Sequence, residues 1–179
     1  MIDKISTERL TLRKFNKKDY DDAYEYLSDK DVMAYIETPF NYDQTKEFVD
    51  LFTGDKPNVY ALVEKISNKV IGHVIFHPYE YDNVHELGWI INKNYQGKGY
   101  AMEISRYLIK YGFEHLKLHR IFGTTVSENI GSRTLMEKLK MKNEAVFRKA
   151  NLHNGKWLDE YWYGILEEDY FSNNYEVKR

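Results

Sequence analysis

The chain has no cysteine among its 179 residues, which excludes disulfides, thiolate nucleophiles and cysteine-ligated metal from its chemistry. Only 3 prolines and 10 glycines are present, without the linkers or low-complexity tracts they would build, and there is no internal repeat. Net charge is small: Lys+Arg 26 against Asp+Glu 28 leaves no basic field to hold a nucleic-acid backbone. No apolar run has the length of a membrane span or the form of a signal peptide. Neither nucleic acid nor membrane is therefore expected as a partner, and the expected location is cytoplasmic. Aromatic residues are abundant, with 16 Tyr, 9 Phe and 3 Trp. Tyrosine pairs an apolar body with a polar tip, which suits a cleft wall, a homodimer surface or a half-buried core. The length suits one domain over residues 1–179, its core at about 7–168.

Alternation over residues 7–15, with Leu10, Leu12 and Phe15 on one side and Arg9, Thr11 and Arg13 on the other, predicts a strand. Helical spacing of Tyr20, Ala23, Tyr24 and Leu27 predicts a helix over 19–27. A second short helix over 32–35 follows Ser28-Asp29, and Asp43 is placed to cap a third over 44–52. Runs of β-branched and aromatic residues at 59–64, 70–77 and 85–91 predict an antiparallel meander. Met102, Ile104, Ser105, Leu108, Ile109 and Phe113 mark a helix, and a strand follows at 120–125; that strand-helix-strand order requires a parallel pair. A helix from Ser127-Glu128-Asn129 and two strands, 143–150 and 157–166, around His153-Asn154-Gly155 complete the pattern. The predicted class is mixed α/β, a mostly antiparallel sheet with one parallel pair, flanked by helices. Residues 172–179 are polar enough to fray.

The most informative segment is Gln96-Gly97-Lys98-Gly99-Tyr100-Ala101, between a predicted strand and a predicted helix. Free backbone N–H groups and the positive end of a helix dipole converge at such a junction and make it a cradle for phosphate. A nucleoside-triphosphate loop would end Gly-Lys-Ser/Thr, whereas Lys98 is followed by Gly99. A dinucleotide fold would carry its glycines after the first strand of a repeated βαβ array, not after a meander.

Gln96-x-x-Gly99-x-Ala101 resembles the Arg/Gln-x-x-Gly-x-Gly/Ala signature of the GCN5-related N-acetyltransferases, whose element order is similar over nearly the whole chain. Thr7-Glu8-Arg9-Leu10-Thr11-Leu12-Arg13, Glu86-Leu87-Gly88-Trp89 and Asn129-Ile130-Gly131-Ser132 are similar to the branch containing bacterial ribosomal-protein N-terminal acetyltransferases. The resemblance implies acetyl-CoA as co-substrate, no metal, and a primary amine as acceptor, either a protein N-terminus or a small amine such as a polyamine or aminoglycoside. It also implies that the amides of Gln96, Gly97, Lys98, Gly99, Tyr100 and Ala101 hold the pyrophosphate. Trp89, Ile90 and Ile91 would then offer backbone groups to the pantetheine arm, the strand they lie on splaying from its parallel neighbour.

Acetyl transfer to an amine needs an acceptor for the amine proton. Glu86 interrupts an apolar strand just upstream of the loop, and by resemblance it lies where related enzymes carry a catalytic glutamate; the alternative is a solvent-facing or ion-paired carboxylate. His85 points to the opposite face of a regular strand, so one of the two is expected inside. Many family members carry a tyrosine at the position of Met136, and methionine cannot donate a proton to the leaving thiolate. Ser132 is, by resemblance, a contact to the coenzyme sulfur, or else part of a helix start, and Asn129 is a coenzyme ligand, the helix cap, or both. The glycine usual after this helix is replaced by Lys140. His73, His77, His115, His119 and His153 lack the spacing of a metal site. A non-catalytic coenzyme-A-binding module is the reading from another class.

Overall fold

The β-branched runs form strands and the 3.6-residue patterns form helices in the computed structural model, which describes residues 4–54 and 57–172. The strands are β1 (Lys4–Ser6), β2 (Leu10–Arg13), β3 (Val59–Glu64), β4 (Lys69–Tyr79), β5 (Tyr81–Ile91), β6 (Arg120–Val126), β7 (Lys142–His153) and β8 (Lys156–Leu166). The helices are α1 (Tyr20–Leu27), α2 (Tyr42–Leu51), α3 (Tyr100–Tyr111), α4 (Ile130–Lys138) and α5 (Glu167–Ser172). Hydrogen bonding orders the strands β1-β2-β3-β4-β5-β6-β8-β7, and β5 runs parallel to β6. The expected mixed sheet is what the chain forms.

Two compact units divide the chain. One takes residues up to His77 with Gly88–Ile104, the other Pro78–Leu87 with residues from Ser105 onward. In the first, β1 to β3 pair antiparallel, and α1 and α2 bury Ala23, Tyr26, Leu27 and Val49 against Val59, Ala61, Val63 and Val70. A turn of helix ahead of α1 is fixed by Asp19, which is buried and takes the Arg13 fork at 2.7 and 2.8 Å plus the Asn16 amide at 2.8 Å. Such a bidentate pair satisfies a carboxylate that burial would otherwise penalise.

In the second unit, β8 lies antiparallel between β6 and β7, and Tyr163, Ile165, Ile121, Met136 and Leu139 are buried. Helix α4 ends in a Schellman motif: the Lys140 amide donates to Glu137 O and the Met141 amide to Met136 O, both at 3.0 Å. Lys140 itself adopts the left-handed conformation, φ 63°, that glycine usually supplies here, so the cap survives the replacement.

Three local expectations are corrected. Residues 32–35 form turns rather than a helix: Asp29 Oδ1 accepts from the amides of Asp31 and Val32, and so short a segment cannot repay helix nucleation. Helix α2 is capped by Asn41, in a reciprocal box with Gln44 at 2.9 and 2.8 Å, and Asp43 lies inside its first turn. β1 and α5 are additional elements of three and six residues, too short for periodicity to reveal. Of the residues 172–179 expected to fray, Ser172 ends α5, and 173–179 lie outside the described ones.

His73 is sealed in the first unit, its Nδ1 3.1 Å from the Tyr26 hydroxyl and its ring 5.1 Å from Phe48. Burial lowers its pKa from 6.5 to about 3. As pH falls through 6.5 the unfolded chain takes up a proton that folded His73 refuses, so this contribution is whole above 6.5 and is lost between there and about 3. We expect His73 alone to lower the unfolding free energy by up to about 1.4 kcal/mol per pH unit in that window. Urea unfolding between neutral pH and about pH 5 should show a flatter slope for His73→Phe, and equal slopes would remove His73 from the account. Relieving the strain at Lys140 by Lys140→Gly should raise stability by about 0.5–1 kcal/mol; no gain in the same assay would mean that the left-handed residue costs nothing here.

Candidate active site

After β5, Asn92 accepts the Asn94 amide at 3.0 Å and opens a short turn, Lys93–Tyr95. Gln96 closes it: its amide donates to Lys93 O at 3.3 Å and its side-chain Nε2 to Ile91 O at 2.9 Å. Gly97 and Gly99 then take φ of 74° and 81°, left-handed backbone that a side chain resists, and α3 begins at Tyr100. A Cβ on Gly97 would meet nothing within 4 Å, so that glycine answers to conformation and not to space. Among the described residues no protein acceptor takes the amides of Gly97, Lys98 or Gly99, and the first-turn amides of Tyr100 and Ala101 are free by helix geometry.

Residues 96–99 are exposed. The segment is an open row of donors at a helix N-terminus, an arrangement that attracts anions. The Gln96 amide is already engaged, so the row starts at Gly97. Lys98 Nζ rests 4.7 Å over the Tyr95 ring, and the Tyr100 side chain is buried with its hydroxyl on Glu64. That bond raises the Tyr100 pKa, while hydrogen bonds from Ser67 and then Tyr100 hold the Glu64 carboxyl below its usual range. Trp89 is half-buried, and Ile90 and Ile91 are buried.

In the second unit, β5 pairs with β6 over Val84–Arg120, His85–Ile121 and Glu86–Phe122 only. Partners in a parallel ladder share a face, so half-buried Glu86 lies beside Phe122 and His85 faces the other way, 8% exposed. Phe122 stacks flat on Trp162, with centroids 5.2 Å apart and planes at 4°. Tyr79 meets Phe122 edge-on at 5.1 Å, and Phe147 meets Trp162 at 6.0 Å. Arg120 binds Glu144 in a fork above Gly164. Along β8, Trp157 is exposed, Tyr161 and Trp162 are half-buried and Tyr163 is buried.

At the start of α4, Asn129 Oδ1 accepts the Ser132 amide at 3.2 Å, so Asn129 is the helix cap and Ser132 sits half-buried in the first turn. Met136, one turn on, is buried with its Cε 3.3 Å from where a Cβ of Gly123 would stand. Among the described residues no three His, Asp or Glu side chains converge as a metal site, and no helix is long and apolar enough to cross a membrane.

A family model for the acetyltransferase (GNAT) domain matches residues 9–142. The chain belongs to the GNAT acetyltransferase family. It is 41% identical over 167 residues to YnaD of Bacillus subtilis (strain 168), named an uncharacterized N-acetyltransferase, covering 93% of this chain and 98% of that one. It is 26% identical over 171 residues to a spermidine N(1)-acetyltransferase of Vibrio cholerae, covering 93% of this chain and 98% of that one. Its fold matches the crystal structure of a GNAT-family acetyltransferase from Bacillus anthracis with a TM-score of 0.86 at 42% identity, over 92% of this chain and 99% of that one. The chain is thus an N-acetyltransferase.

Three features of this GNAT enzyme escape sequence reasoning: the Phe122–Trp162 stack, the reach of Arg9 to α3, and the glycine at 123. Only the last left a local signal, a glycine inside a run of β-branched and aromatic residues. A Cβ there would stand 2.7 Å from Leu87 O, a backbone atom that cannot yield. Gly123→Ala should therefore cost about 1–3 kcal/mol in urea unfolding; a neutral result would show that the ladder end tolerates widening.

Proposed function

We propose that the chain works as a single acetyltransferase domain that moves acetyl from acetyl-CoA to a primary amine, foremost a protein N-terminal amine. When bound, acetyl-CoA supplies the acetyl thioester. The free amides from Gly97 to Ala101 bind its pyrophosphate, with Gln96 fixing their entry and the dipole of α3 adding to the attraction. Backbone groups of Trp89, Ile90 and Ile91 receive the pantetheine arm. Glu86 takes the proton of the attacking amine, directly or through water, and Ser132 hydrogen-bonds at the sulfur from a helix start that Asn129 holds in shape. With no cysteine in the chain, the amine attacks the thioester directly, both substrates being held together.

The observation that carries the choice of acceptor is what surrounds Glu86. Its ladder partner, Phe122, stacks on Trp162, and at the other end of the ladder Arg120 takes the carboxylate of Glu144. A polycation would gain from several free carboxylates, whereas an amine on an apolar or peptide body gains from an aromatic wall. The second reading, a polyamine acceptor, draws on the similarity to the Vibrio cholerae spermidine enzyme.

Thiol release from acetyl-CoA in the presence of peptides or of polyamines tests both readings. Glu86→Gln should lower turnover about 100-fold while leaving coenzyme A affinity unchanged. Turnover equal to the parent would end the role of Glu86, and turnover with spermidine but with no peptide would replace the first acceptor by the second.

A further inference from the structure

We propose that Arg9 is a positioning residue for the coenzyme: with Thr7 and Glu103 it holds the Lys98–Gly99 peptide so that the loop amides face the pyrophosphate. The inference rests on the reading of the loop given under Proposed function, and it concerns how the loop keeps its shape.

Arg9 lies in the turn between β1 and β2, and three of its interactions converge on the start of α3. Its Nε donates to Glu103 Oε2 at 2.6 Å, its Nη1 donates to Lys98 O at 2.8 Å, and its guanidinium carbon stands 4.6 Å above the Tyr100 ring. The Arg9 amide and the Thr7 hydroxyl both donate to Glu103 Oε1, at 2.8 and 2.6 Å. The turn itself is pinned, since the Lys65 amide donates to Arg9 O at 2.9 Å and the Thr7 amide to Leu10 O at 3.0 Å.

The consequence follows from peptide geometry. In a trans peptide the C=O of one residue and the N–H of the next point in opposite directions. Capturing Lys98 O from the Arg9 side turns the Gly99 N–H away from that side, toward the open face of the loop. The next carbonyl, Gly99 O, is taken by the Glu103 amide at 3.0 Å. Left-handed glycines have many alternatives in solution, and these two captures select one of them.

The same contacts settle a conflict of charge. Glu103 sits in the first turn of α3, where a carboxylate suits the helix dipole but repels a bound phosphate. Burial would raise its pKa, but the bonds from Thr7 and Arg9 outweigh burial and hold it below the usual range, so it stays ionised and neutralised by the guanidinium. Lysine cannot reproduce this arrangement. One ammonium is a point charge, whereas the arginine fork reaches a carboxylate and a carbonyl at once while stacking on a ring.

The test compares Arg9→Lys and Arg9→Ala with the parent chain, using coenzyme A and pantetheine as probes in calorimetry and following amide hydrogen exchange at Glu103. The dissociation constant for coenzyme A should rise about tenfold in the Arg9 variants, the value of one charge-assisted hydrogen bond, with no change for pantetheine, which lacks the pyrophosphate. Exchange of the Glu103 amide, which donates to Gly99 O, should quicken while the urea midpoint of Arg9→Lys stays at the parent value. Unchanged coenzyme A affinity in Arg9→Ala would overturn the proposal, as would equal losses for both probes together with a lowered midpoint. A parent chain that binds coenzyme A no better than pantetheine would instead overturn the assignment of the loop, and this inference with it.

Discussion

The parallel ladder between β5 and β6 is the constraint from which the rest follows. Antiparallel neighbours can be joined by two residues, but a parallel pair needs a crossover, and here that crossover is the loop and α3. A crossover must begin at the C-terminal end of its first strand. The turn at residues 92–99 and the start of α3 are therefore consequences of pairing direction, and a helix N-terminus with open amides comes with them. The ladder is also short, three residue pairs ending at Glu86 and Phe122, and Gly123 marks where it stops because Leu87 O occupies the space of a side chain.

Several carboxylates that shape turns and helix starts are held by cations or hydroxyls. Asp19 is held by Arg13, Glu103 by Arg9 and Thr7, Glu144 by Arg120, and Glu128 by Lys156. A chain of small net charge thus spends its ions locally, fixing turns and helix starts, and presents aromatic faces rather than a strong field. The more exposed of these pairs add little to stability, and their importance lies in the backbone groups they orient.

Much of this was legible in the sequence because the signals were local. Two glycines after an apolar run announced the loop, Asn129 announced a cap, and alternation separated His85 from Glu86. Misreadings came where two local options competed. Asp43 and Asn41 both cap well, and the reciprocal bond with Gln44 decided for Asn41; the apolar residues at 32–35 had helical spacing but too few turns to hold it. Lys140 in a left-handed position has no sequence signature, since the Schellman bonds impose it. Arg9 read as the polar side of a strand and as part of a family-like segment, neither of which pointed to the loop. Its role depends on a carboxylate 94 residues away, and periodicity carries no information at that distance.

That separation gives the enzyme a late-maturing site. The loop glycines and α3 can form from neighbouring residues, but the contacts that select one loop shape require the start of the chain to be docked in the sheet. Closing so long a stretch is slow relative to making a helix turn. Trimming a few N-terminal residues, or fusing a bulky partner close to Arg9, would thus perturb a loop that lies in the middle of the sequence, a reason to place affinity tags at the other end.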